Sequence, residues 1–130
     1  MRIMLLNNFY EIISITEENL VQTFNIRLNS SHHIYEGHFT GHPIVPGVCT
    51  LQIIKDCAET IIHKKFVYAQ ISSAKFLSLV DPKENDLIEI NISLKNTDNN
   101  QYSLIAEGKY QNTDTIFIKV KATLKEIDNE

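Results

Sequence analysis

The chain has 130 residues, 43% of them hydrophobic, with 12 Lys and Arg against 16 Asp and Glu and a formal net charge of -4. That length suits one domain over residues 1–130 with a buried core, and the acidic balance argues against a nucleic-acid binder, which needs a basic stripe. No apolar run approaches membrane-spanning length, and Met1 to Asn8 has neither the apolar region nor the cleavage site of a secretory leader.

In chain order, Phe9 to Thr16 and Leu20 to Leu28 mix β-branched and aromatic residues with polar ones. They read as antiparallel strands joined at Glu17-Glu18-Asn19. Asn29 to Gly47 holds Gly, Pro, His and Ser without steady periodicity, a long loop of the kind that carries function. From Val48 the pattern becomes helical: Val48, Leu51, Ile54 or Lys55, Ala58, Ile61 and Ile62 recur on one face. Pro46-Gly47 punctuates the start and His63-Lys64-Lys65 marks the end. Phe66 to Phe76, Leu87 to Lys95, Tyr102 to Tyr110 and Thr115 to Ile127 favour strand, with polar turns between them. The order β-β-α-β-β-β-β predicts an α+β fold in which a curved antiparallel sheet wraps one long helix.

Cys49 and Cys57 stand eight apart on that helix, about 12 Å at the helical rise, too far for a disulfide. They are expected to be buried free thiols, which fits a reducing cytoplasm. Cys49, near the helix start, is read as core packing rather than as a nucleophile.

The segment His38-Phe39-Thr40-Gly41-His42-Pro43-Ile44-Val45-Pro46-Gly47-Val48 resembles the H-F-x-G-x-P-x-x-P-G-V signature of the 3-hydroxyacyl-(acyl-carrier-protein) dehydratases, which are hot-dog-fold enzymes. Thr40 stands where that family usually has proline. Ala74 to Asp86, with Lys75-Phe76, Val80 and Pro82, is similar to the family's K-F-x-x-x-V-x-P-G-D strand and turn. One departure outweighs the matches: the family's catalytic carboxylate, fourteen residues after its histidine, falls on Gln52.

The resemblance implies that a (3R)-hydroxyacyl thioester loses water to give a trans-2-enoyl thioester, with no cofactor and no metal. His38 is the implied base, since neutral imidazole titrates near the working pH. Gly47 and Val48 start the helix, and their backbone N–H groups, unsatisfied within it, suit a developing enolate oxygen. Pro46 sets the approach of the chain, and Phe39 belongs to the substrate-binding set. Gln52 has no proton to give in the useful range. Asp56, one turn on and on the same face, is the candidate substitute acid, against the plainer reading of a polar helix residue paired with Lys55 or Lys64.

His32, His33, His38 and His42 match no helical metal-ligand spacing and are not read as a metal site, and His42 is taken as a loop residue. Acyl carrier protein is itself acidic, so docking requires a local basic patch. His63-Lys64-Lys65, with Lys75, is one candidate, and a favourable cationic helix end is the other reading. A thioester on carrier protein or coenzyme A, no nucleic acid or membrane, and a cytoplasmic homodimer or dimer-built oligomer with a shared active site complete the implied picture. The rival functions are an acyl thioesterase and a non-catalytic acyl-binding subunit.

Overall fold

The computed structural model describes residues 8–32, 35 and 44–127. Its elements are β1 (Tyr10–Glu18), β2 (Val21–Leu28), α1 (Gly47–Ile62), β3 (Phe66–Phe76), β4 (Leu87–Asp98), β5 (Gln101–Tyr110) and β6 (Ile116–Glu126). The strands form one six-stranded antiparallel sheet in the order β1-β2-β4-β5-β6-β3.

Alternation along the strands decides which face meets the helix. Phe24, Ile26 and Leu28 of β2, Ile88, Ile90 and Ile92 of β4, Leu104 of β5, and Ile118, Val120 and Leu124 of β6 point inward and are buried. They enclose the apolar side of α1, formed by Ile53, Ile54, Cys57 and Ala58. Each fully buried isoleucine contributes about 2 kcal/mol by removal from water, so this layer holds the helix in place. Tyr68 Oη adds a hydrogen bond to the Leu51 carbonyl at 2.7 Å, tying β3 to the helix. Gly108 lets β5 and β6 close up, because a Cβ there would lie 2.7 Å from the Phe117 ring.

The first hairpin turns later than expected. β1 runs on through Glu17 and Glu18, and Asn19 and Leu20 make the turn with φ of 55° and 67°. Two successive residues at positive φ match the twist of a two-residue hairpin. Leu20, 80% exposed, was read as strand because nothing in a leucine signals such a conformation. β4 likewise continues past Lys95 to Asp98, since the polar Asn96 and Asp98 pair with Tyr102 and Gln101 of β5 around a register shift at Thr97 instead of forming the turn. The helix starts one residue earlier than Val48. It ends with His63 in the left-handed region, whose N–H reaches the Glu59 carbonyl at 2.7 Å.

Candidate functional site

The helix start lies on one side of the curved sheet, beneath the end of β3. Pro46 adopts an extended N-cap conformation, and no side chain among the described residues caps the first turn. Cys49 and Thr50 donate their N–H groups to the Pro46 carbonyl, so the helix ladder begins there and leaves the Gly47 and Val48 amides pointing outward. Their partial positive charge is a ready site for a developing negative oxygen. Val45 N donates to the Val80 carbonyl at 2.9 Å, and Tyr110 Oη to the Leu79 carbonyl at 2.8 Å, which fixes the segment after β3 beside this helix end.

Gly47 leaves room there for an aromatic ring. A Cβ would come within 2.9 Å of the Phe76 ring, which lies against the helix start. Phe76 is 54% exposed, and Val48, Leu77 and Leu79 around it are exposed too. The outward amides therefore sit within an apolar rim, suited to an acyl chain rather than to a sugar or nucleotide.

Further along the helix, Gln52 Nε2 donates to Asp56 Oδ1 at 2.8 Å, and Tyr10 Oη donates to Asp56 Oδ2 at 2.8 Å. Asp56 is only 1% exposed. Burial pushes its carboxyl above the ordinary range, opposed by the two hydrogen bonds and by nearby Lys55, and reinforced by Glu59. Asp56 is thus neither a surface residue nor the partner of Lys55 or Lys64. Lys55 instead pairs with Glu59 at 3.3 Å, and the same Glu59 carboxylate accepts the Phe66 N–H at 2.9 Å. With its amide nitrogen committed to Asp56, Gln52 keeps its carbonyl oxygen as an acceptor for a hydroxyl or water.

Gly47, Val48, Gln52 and Asp56 are thus strung along one helix, with Pro46 at its cap. His38 and Phe39, with His33 and His42, lie outside the described residues. No cluster of three metal-ligating side chains occurs among the described residues, and none of their helices is long and apolar enough to cross a membrane. Cys49 and Cys57 are buried free thiols whose pKa values burial raises, which favours packing over nucleophilic attack. The basic group splits: Lys75 lies with Lys119 and Lys121 on the sheet, whereas His63-Lys64-Lys65 follow the far end of a 16-residue helix, about 24 Å from Gly47.

Three residues escaped the sequence reading. Tyr10 holds Asp56 from a strand 46 positions away, a contact no local pattern reports. Phe76 was visible only as a family match, not as the ring on Gly47. Tyr35 stacks near Phe9 with ring centroids 5.9 Å apart, and its buried hydroxyl has no hydrogen-bond partner among the described residues. Burial, with Cys49 and Asp81 nearby, raises its pKa.

A six-stranded antiparallel sheet curved around one long helix is the hot-dog architecture. A family model described as ApeI-like, ApeI dehydratase, matches residues 14–115, and the chain belongs to this family. Over 101 residues, or 72% of the chain, it is 28% identical to the 3-hydroxyacyl-(acyl-carrier-protein) dehydratase FabZ of Lactobacillus helveticus. The chain spans 66% of that relative and about half of others of the same name. In fold it is similar to the dehydratase heterocomplex ApeI:P from Xenorhabdus doucetiae, at TM-score 0.73 and 16% identity, covering 89% of this chain and 97% of that one. A hypothetical thioesterase with coenzyme A from Streptococcus pneumoniae gives TM-score 0.65 at 14% identity, covering 95% of this chain and 91% of that one.

Proposed function

We propose that the protein is a dehydratase-like lyase that converts (3R)-hydroxyacyl thioesters, borne by acyl carrier protein or coenzyme A, into trans-2-enoyl thioesters. The observation that carries the reading is the Gln52–Asp56 pair on the helix whose first amides are open. His38 takes the proton beside the carbonyl, and the Gly47 and Val48 amides bind the enolate oxygen. Gln52 holds the 3-hydroxyl through its carbonyl oxygen. Asp56, with a carboxyl that keeps its proton to higher pH than usual, supplies the proton with which the hydroxide leaves as water. Phe39 belongs to the substrate-binding set, and Pro46 sets the approach of the chain to the helix start. The reaction needs no cofactor, and its setting is the cytoplasm, in fatty-acid or related acyl-chain synthesis by a homodimer or dimer-built oligomer.

Assaying hydration of crotonyl and longer trans-2-enoyl thioesters tests the reading, with a 3-hydroxyacyl thioester as the expected product. A second reading, acyl thioester hydrolysis, has one observation in its favour: Gln52 offers an acceptor that orients water as readily as a hydroxyl. Release of free thiol from a saturated acyl thioester, without hydration of the enoyl substrate, would select it. Binding of either thioester with no turnover would leave a non-catalytic acyl-binding subunit.

A further inference from the structure

Asp56 accepts two hydrogen bonds in the core, from Gln52 Nε2 on Oδ1 and from Tyr10 Oη on Oδ2, both at 2.8 Å. Its other neighbours are committed elsewhere. Tyr68, from β3, gives its hydroxyl hydrogen to the Leu51 carbonyl, Lys55 is paired with Glu59, and the Cys57 thiol is buried in the core. An ionised carboxylate accepts on both oxygens and donates nothing. Gln52 therefore turns its NH2 group inward to Asp56, and its carbonyl oxygen is the end that faces away.

Protonation reverses this orientation. A proton on Oδ1 would set two donors against each other in a buried site, where an unmet hydrogen bond is costly. Rotating the amide by half a turn about its last side-chain bond puts Oε1 on that proton and turns the NH2 group outward, with no other atom displaced. Tyr10 already gives its hydrogen to Oδ2, which leaves Oδ1 to take the proton. Burial, helped by Glu59, holds the carboxyl above its ordinary range, while the bonds from Gln52 and Tyr10 and the charge of Lys55 oppose it. The outward end of Gln52 lies close to the open amides. Gln52 is half-buried and follows Val48 by four residues, so it stands on the same face of the helix about 6 Å along the axis. A thioester whose carbonyl oxygen rests on the Gly47 and Val48 amides carries its 3-oxygen toward Gln52.

Resting on the thioester function proposed above, we infer that Gln52, positioned by Asp56 and Tyr10, selects the oxidation state of the acyl chain at C3, admitting a 3-hydroxyacyl thioester and rejecting the 3-oxoacyl thioester from which reduction makes it. A hydroxyl both donates and accepts, so it satisfies either orientation of the amide. A ketone only accepts. Against the outward carbonyl it leaves two acceptors face to face, and a site built for one partner turns away an analogue that leaves its polar group unpaired. The selection is strongest where Asp56 is ionised and fades as Asp56 takes its proton. In this selection Asp56 and Tyr10 are positioning residues, because both work through the Gln52 amide.

The test is calorimetric binding of three pantetheine amides, 3-hydroxyacyl, 3-oxoacyl and saturated, from about pH 4.5 to about pH 8; nitrogen in place of the thioester sulfur suppresses elimination. For wild type, the ratio of the 3-oxo Kd to the 3-hydroxy Kd should rise about tenfold or more with pH. Tyr10→Phe removes a donor to the ionised carboxylate, which raises the pKa of Asp56, so the rise should come about one pH unit later and be regained at the alkaline end. A merely structural loss would weaken all three ligands alike. Asp56→Asn, whose amide can donate or accept, should give a low ratio independent of pH, and Gln52→Met should lose the discrimination at every pH. A wild-type ratio near one throughout, a ratio preserved in Gln52→Met, or a Tyr10→Phe curve superposed on wild type overturns the inference. Loss of discrimination in an enzyme that still dehydrates its thioester leaves the function standing without this selection. Discrimination as expected with no dehydration leaves the selection standing and fails the catalytic reading, and failure of all three amides to bind fails both.

Discussion

At residue scale the central feature is the pair of Gln52, which stands where the sequence resemblance puts the family's acid, and Asp56 one helical turn on, bonded to it at 2.8 Å. Gln52→Glu would put two carboxyls in contact, and such a pair shares one proton that is held toward neutral pH. Dehydration should rise about tenfold or more, within the range of acid catalysis, and the pH-rate profile should gain a descending limb toward alkaline pH as the shared proton is lost. Unchanged activity, with collapse in Asp56→Asn, would assign the acid wholly to Asp56. Stability gives a second readout. Because the native carboxyl of Asp56 is raised above 3.8, the folded state binds this proton more tightly than the unfolded chain. Its stabilisation is fully present below about pH 4 and is lost as pH rises through the native pKa. Asp56→Asn should flatten that part of the Tm-pH curve; an identical slope would deny the linkage. Tyr10→Phe removes one of the two donors to Asp56 and should cost about 1 kcal/mol, read by denaturant midpoint.

At the scale of elements, the helix start and the end of β3 work as one unit. Gly47→Ala would drive a methyl into the Phe76 ring. The half-exposed ring can swing aside, so the thermal midpoint should fall little while turnover falls several-fold. Gly47→Ala/Phe76→Ala should retain more activity than Phe76→Ala predicts if the clash is the cause, and additive losses would rule that out. These elements differed in how much of them the sequence revealed. Strand alternation and the extent of the helix were legible because burial on one face imposes a period, but the buried face of the helix is turned from the one expected: Val48 is exposed, and Ile53 and Cys57, outside the expected stripe, are fully buried beside Ile54 and Ala58. The Asn19-Leu20 turn was not, since Leu20 is unusual at positive φ. The Pro46-Gly47 helix start could be read from turn chemistry, but the aromatic ring packed on that glycine comes from a strand nearly thirty residues later. Gln52 stood out by its mismatch. The burial of Asp56, on a polar stripe whose spacing does not distinguish core from water, depends on Tyr10 and the sheet around it.

At the scale of the molecule, the sheet ends in two edges, β1 and β3, and β3 exposes Val67 and Ile71 together with unpaired backbone groups. Such an edge invites pairing with another strand. Light scattering at micromolar concentration should give a particle of at least two 14.9 kDa chains, and a monomer would remove any site shared between protomers. The most direct measurement of the whole account is product analysis of one 3-hydroxyacyl thioester incubated with wild type and with His38→Ala. Wild type should yield the trans-2-enoyl thioester with its thioester bond intact, and His38→Ala should lose this activity at least a hundredfold while keeping its thermal midpoint. Free thiol and a carboxylic acid in place of the enoyl product, or a His38→Ala variant as active as wild type, would contradict it.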